Sequence, residues 1–238
     1  MKNLAATAWG GRVTGNLTLK PTGAEALDYS GNFEIADAQL SELLTALTKI
    51  RGLDGRIQTS LTLAGRNGPS VNPLMALTLD AKALVLEGAL ANIPALRKVA
   101  EALSFSNAAP ASFPFKTVKS RFKVVNGFVN FDSCLVSQPA ADWTLGGKIG
   151  LDGSLDVPIR ARLAASLFKT GSELRQVADL LAGPDGRLPI TLTLTGTLTN
   201  PQVAVDAEPL LKQARDKAKG ALGDELKKRI GGLFKKPR

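Results

Sequence analysis

No histidine occurs among the 238 residues. The commonest general base and the commonest metal ligand are therefore missing. A single cysteine, Cys134, excludes an intrachain disulfide and a thiolate metal cluster. Together these absences rule out Ser-His-Asp hydrolysis, Cys-His proteolysis and zinc-finger chemistry from this chain's own side chains. Aromatic residues make up only 5%. That is too few for a base-stacking platform, so no nucleic-acid partner is expected. Long apolar runs are also lacking. The longest charge-free window, Leu188 to Val205, alternates Thr191, Thr193, Thr195, Thr197 and Thr199 with apolar residues. This is a period of two, which a membrane-spanning helix does not have. The first ten residues are too short and too weakly apolar for a signal segment.

Charge is present but unevenly placed. The formal net charge is +9, and residues 208–238 hold ten basic and four acidic side chains, two-thirds of that excess. The remaining 207 residues are nearly balanced. The chain divides on this basis into a body, 1–207, and a basic tail, 208–238. In the tail, Leu211, Ala214, Ala218, Leu222, Leu226, Ile230 and Leu233 form one helical stripe ringed by lysines and arginines. Two readings of it stay open. It is either a solvated helix packed on the body or an interfacial helix on an anionic membrane surface, with Lys227, Lys228, Arg229, Lys235 and Lys236 as contact candidates.

The body alternates apolar and polar residues again and again. Val13, Leu17 and Leu19 share a face, as do Ile57, Thr59, Leu61 and Leu63; Met75, Leu77 and Leu79; and Val118, Ser120, Phe122 and Val124. Trp143, Leu145 and Ile149; Leu155, Val157, Ile159 and Leu163; and Ile190, Leu192 and Leu194 continue the pattern. Each set predicts a strand with one apolar and one wet face. Asn126-Gly127 between two such runs is a hairpin signal, and Asp54-Gly55, Gly146-Gly147, Asp152-Gly153 and Asn200-Pro201 are read as further turns. Short helices are expected over 38–50, from a cap at Asn92 to about Leu103, and over 171–181 with Ser172 as cap and Gly183 as stop. Residues 65–73 and 104–114 are the loop candidates. The fold class is mainly β: a long antiparallel meander of ten to fourteen strands with few helices.

Three stretches resemble the C-terminal region of the AsmA family. They are Gly10 to Leu19; Phe115 to Leu163, with Phe122-Lys123-Val124-Val125-Asn126-Gly127 and Leu145-Gly146-Gly147-Lys148-Ile149-Gly150-Leu151; and Leu188 to Pro201 followed by Asp206. The resemblance implies a sheet curled into a groove with an apolar concave face. It also implies a periplasmic, membrane-associated role in moving phospholipid or assembling the outer membrane of Gram-negative bacteria. Typical members begin with an inner-membrane anchor helix, which is absent from this chain, so a fragment or truncated member is expected. The groove candidates are Leu17, Leu19, Leu61, Leu63, Leu77, Leu79, Phe122, Val124, Leu145, Ile149, Val157, Ile159, Leu192 and Leu194, holding phospholipid acyl chains.

The competing reading of those faces is an ordinary closed core. A further alternative is an assembly factor that docks on an outer-membrane protein partner through a sheet edge or end. No enzyme, cofactor or metal is expected. Asp132, Asp142, Asp152, Asp156 and Asp185 have no calcium-loop spacing and fit turn chemistry. Cys134 reads as a small buried residue.

Overall fold

The computed structural model describes residues 2–23, 25–47, 51–106, 112–206 and 208–217. The fold is mainly β. One sheet holds eleven strands in chain order, each hydrogen-bonded antiparallel to its sequence neighbours, and it is not closed into a barrel. The strands are β1 Lys2–Ala8, β2 Gly11–Pro21, β3 Leu27–Gln39, β4 Leu53–Asn67, β5 Thr78–Ala91 and β6 Ser112–Val125. They continue with β7 Phe128–Ser137, β8 Ala141–Gly150, β9 Ser154–Ala164, β10 Arg187–Thr197 and β11 Pro201–Asp206. Five α-helices and one 3₁₀ turn, Ala165–Leu167, decorate the described residues; the α-helices are α1 Leu40–Leu47, α2 Pro73–Ala76, α3 Pro94–Ala102, α4 Glu173–Leu181 and α5 Glu208–Lys217.

The hairpin at Asn126-Gly127 forms as its residues require. Both take positive φ, 51° and 76°, the pair of values a two-residue turn between twisted strands needs. Trp9 and Gly10 do the same between β1 and β2. Two expected turns are instead irregularities inside strands. Gly55 (φ 136°) lies within β4 at a register shift, its N–H bonded to Asp54 Oδ1 at 2.8 Å. Gly147 (φ 75°) lies within β8. Dipeptides ending in glycine signal positive φ, which a bulge uses as readily as a turn.

The helices also differ in detail. α1 is described over Leu40–Leu47, starting two residues later than expected, because β3 runs on to Gln39. α3 is capped at Ile93 with Pro94 in its first turn, while Asn92 takes φ 56° before it. α4 begins as read, the Ser172 hydroxyl accepting from the Arg175 N–H at 3.2 Å. It ends at Leu181 with Ala182 as cap, so Gly183 follows the end without making it. α2 replaces the start of the run Met75–Leu79, and Leu77 is its cap, not a strand residue. Asn72 explains this: its Oδ1 accepts the Leu74 N–H at 3.0 Å and Pro73 opens the turn.

Two buried clusters hold the sheet. The larger packs α3, α4 and the start of α5 on β9 and β10, with Leu163, Leu174, Val177, Leu181, Leu188, Ile190 and Leu192 fully enclosed. On α4 the buried positions Leu174, Val177, Ala178 and Leu181 keep the three-and-four spacing of one helix face. The smaller cluster seats α1 on the middle strands, joining Leu40 and Leu43 to Ile35, Ile57, Val85 and Phe115. α5 is the described start of the basic tail, and its Leu210 is fully buried against the body.

Candidate functional site

Residues directly opposite each other in an antiparallel ladder project from the same face. Following the register from strand to strand therefore maps both faces. One row runs Val13, Ile35, Thr59, Ala83, Ser120, Cys134, Leu145, Ile159, Leu192. On the same side lies Gly15, Phe33, Leu61, Ala81, Phe122, Phe131. Next comes Leu17, Gly31, Leu63, Leu79, Val124, Val129, Ile149, Leu155, then Leu19, Tyr29 and Gly65. On the opposite face one row is polar from end to end, Asn16, Asn32, Thr62, Asp80, Lys123, Asn130, Lys148, Asp156, Thr195, while Leu84, Val125 and Leu135 also project there.

The fourteen groove candidates divide by what covers them. Val157, Ile159, Leu192 and Leu194 are enclosed in the larger cluster, under the helices. Leu145 and Ile149 are half-buried against its margin. Leu17, Leu61, Leu63, Leu79 and Phe122 are half-buried and belong to neither cluster. Val124 is buried but also outside both clusters. Leu77 is half-buried at the α2 cap, and Leu19 is 54% exposed. The uncovered apolar strip is thus confined to β2–β7. Beside it, α2 leaves Leu74 and Met75 more than half exposed.

Sequence reasoning missed several residues of this strip: Tyr29, Phe33, Val129 and Phe131. β3 shows no clean alternation because Gly31 takes one of its apolar-face positions. In the fold Gly31, and with it Gly15 of β2 and Gly65 of β4, is faced by a ring. A Cβ at Gly15 or Gly31 would stand 2.7 or 2.9 Å from the Phe33 ring and 2.3 Å from a neighbouring strand's carbonyl oxygen. A Cβ at Gly65 would stand 2.3 Å from the Tyr29 hydroxyl. Glycine faced by an aromatic is a recognised sheet device, and that juxtaposition was the signal available. Phe122 and Phe131, directly opposite on β6 and β7, hold their ring centroids 6.2 Å apart.

A hollow also lies on the other face. A polar trough of about 640 Å³ is lined by Thr14, Asn16, Asn32, Thr62, Lys82 and Arg121, among others. Within it Thr62 Oγ1 donates to Asn32 Oδ1 at 2.7 Å, and Arg121 pairs at 3.7 Å with Asp132, which is not among the lining residues. A smaller apolar pocket of about 300 Å³, including Phe105, Phe113, Trp143 and Leu167, opens beside the larger cluster. Trp143 is oriented there by donating its indole N–H to Gln138 Oε1 at 2.7 Å.

The aspartates take structural parts. Asp142 and Asp185 pair with Arg187 and Arg162. Asp152 accepts from the Ser154 N–H and hydroxyl in the β8–β9 turn, which holds its carboxyl below the usual range. Among the described residues no group of three or more acidic or cysteine side chains is placed to hold a metal. Burial pushes the Cys134 thiol up, outweighing an opposing hydrogen bond with Ser120. Lys227, Lys228, Arg229, Lys235 and Lys236 lie outside the described residues. Among those that are described, no helix is long and apolar enough to cross a membrane.

With this geometry in hand, the chain was compared with known proteins. No family model, curated protein or solved structure matches it.

Proposed function

We propose that this chain is a non-enzymatic lipid-binding module that shelters acyl chains against the apolar face of β2–β7. One observation carries the reading. Leu17, Leu61, Leu63, Leu79 and Phe122 form a continuous apolar strip outside both buried clusters, on a sheet whose other apolar surface is under helices. The five are half-buried, so each keeps part of its apolar surface open to solvent, and a contiguous apolar surface of that kind is suited to a binding site. Six strands give the strip a width of about 24 Å at 4.8 Å per spacing. One leaflet of hydrocarbon is about 15 Å deep, so a whole acyl tail fits. Each methylene moved from water onto the face recovers about 0.8 kcal/mol when fully buried. Aliphatic side chains with a few flat-lying rings suit flexible tails, and the process needs no proton chemistry.

The periplasmic setting and the AsmA-type role in outer-membrane lipid balance belong to the same proposal and rest on the sequence resemblance. So does contact of the basic tail with an anionic membrane. Native mass spectrometry and solvent extraction of the purified protein test the reading. Co-purified phospholipid, lost when strip residues are made charged, supports it. A folded protein that carries no lipid and takes none from vesicles overturns it.

A further inference from the structure

A meander places its connections alternately at two ends of the sheet. One end carries α1, α3 and α4, in the β3–β4, β5–β6 and β9–β10 connections. The other holds the β2–β3, β4–β5, β6–β7, β8–β9 and β10–β11 connections, and α2 is the only helix described there. Eight large apolar side chains are exposed among the described residues, and five of them are at this second end: Leu19, Leu74, Met75, Val125 and Leu151. All five lie within the run from β2 to β9, away from both edge strands. The tips there form one ridge. The Leu151 N–H donates to the Gly127 carbonyl oxygen at 2.7 Å, and a Cβ on Gly127 would stand 2.7 Å from Met75 Sδ. Two of the tips also carry no charge, since no Asp, Glu, Lys or Arg occurs in 67–79 or 124–131. The charges that flank them pair off, Arg66 with Asp28 and Lys123 with Asp80, and Asp152 beside Leu151 is held by Ser154.

We propose that this end of the sheet docks on the surface of a zwitterionic lipid bilayer, its apolar tips entering the interface. Three observations select that occupant. Leu19 projects from the face that carries the strip and Val125 from the opposite face. Apolar side chains that diverge from both faces of a ridge call for a medium that surrounds them, which a flat protein surface does not supply. The flanking charges balance in pairs, so neither sign of headgroup is favoured. An interfacial element sinks about 5–10 Å. That is two or three residues of extended strand at about 3.3 Å each, enough to immerse the tips and leave Arg66 and Lys123 among the headgroups. Lastly, the strip over β2–β7 runs out at this end through Leu79, Leu17 and Leu19, so a tail leaving the leaflet meets it directly. This third argument rests on the acyl-chain reading; the first two do not.

Flotation of the full chain with phosphatidylcholine vesicles tests it. The parent is expected to float with them equally in low salt and in about 0.5 M salt, where screening silences the basic tail. Leu74→Asp/Met75→Asp is expected to bind at least about tenfold more weakly. Its melting temperature should match the parent's, since both side chains are exposed and outside both clusters. Leu180→Asp, at a comparably exposed leucine of α4 at the other end, should float like the parent. A fluorescent fatty-acid analogue, offered without vesicles, reads the strip separately, and the Leu74/Met75 variant should keep the parent's affinity for it. A parent that takes the analogue but ignores the vesicles overturns the docking end and leaves the strip standing. A parent that floats but takes no analogue overturns the strip and supports the docking end. A double variant that floats like the parent, or a Leu180→Asp chain that loses binding with it, overturns the docking end. So does a parent that ignores vesicles and self-associates through the tips, with the double variant monomeric in light scattering.

Discussion

If the strip over β2–β7 binds acyl chains and the helix-covered cluster does not, the two apolar regions should respond oppositely to substitution. Leu61 sits in the strip between Phe33 and Ala81 on the flanking strands, and Leu63 lies two residues along the same face. A leucine fully buried gains about 1.5–3 kcal/mol. Both are already half-buried in the free protein, so a bound tail adds about 1 kcal/mol at each by the same area relation. The double variant Leu61→Lys/Leu63→Lys forfeits about 2 kcal/mol of binding, close to a thirtyfold loss of affinity at 1.4 kcal/mol per decade. Its stability should hardly change, since a lysine stem covers the same surface and keeps its ammonium in water.

Leu192 is fully enclosed in the larger cluster. Leu192→Ala costs about 2–5 kcal/mol of stability. At about 2–4 °C per kcal/mol for a chain of this size, the melting temperature falls by about 4–20 °C while tail binding persists. Displacement of a fluorescent fatty-acid analogue reads the first effect and circular-dichroism melting the second. Equal affinity in the double-lysine variant and the parent would refute the assignment of the strip.

Gly31→Val should lower stability by about 1–3 kcal/mol through forced repacking, because its Cβ would strike the Asn16 carbonyl oxygen and the Phe33 ring; chemical denaturation measures this. Cys134, buried and with its thiol pushed up, should react with a maleimide or a disulfide reagent far more slowly in the folded protein than in denaturant. The Asp28 carboxyl is held below its ordinary value chiefly by its hydrogen bond from Arg66, which also sits 2.6 Å away as an ion pair. A depressed folded pKa stabilises above the unfolded value and the benefit disappears as pH falls through the folded one. Asp28→Asn should therefore melt slightly below the parent at neutral pH, the gap closing in acid. An exposed pair of this kind contributes little, so a large gap would contradict the reasoning.

Much of this architecture was legible before any coordinates. Clean alternation, as in Leu155 to Leu163 or Ile190 to Leu194, marked β9 and β10 because a half-buried strand cannot disguise its period. β3 was hidden, since Gly31 sits where its apolar face needs an inward residue and Phe33 fills the gap from two positions away. β1 escaped because it is alanine-rich, and an edge strand has little to bury. The site was only half legible. Alternation names the apolar face but not what lies on it: Leu192 and Leu61 read alike in sequence, yet α3 and α4 cover one and leave the other. Covering is a property of helices that arrive from distant parts of the chain.

The order of the strands has a bearing on how such a molecule changes over evolutionary time. Every strand pairs only with those before and after it. Adding or removing one hairpin alters the length of the sheet by about 10 Å and disturbs no other pairing. Length thus becomes a quantity that gene duplication can adjust in fixed increments, much as a ruler is extended by whole divisions.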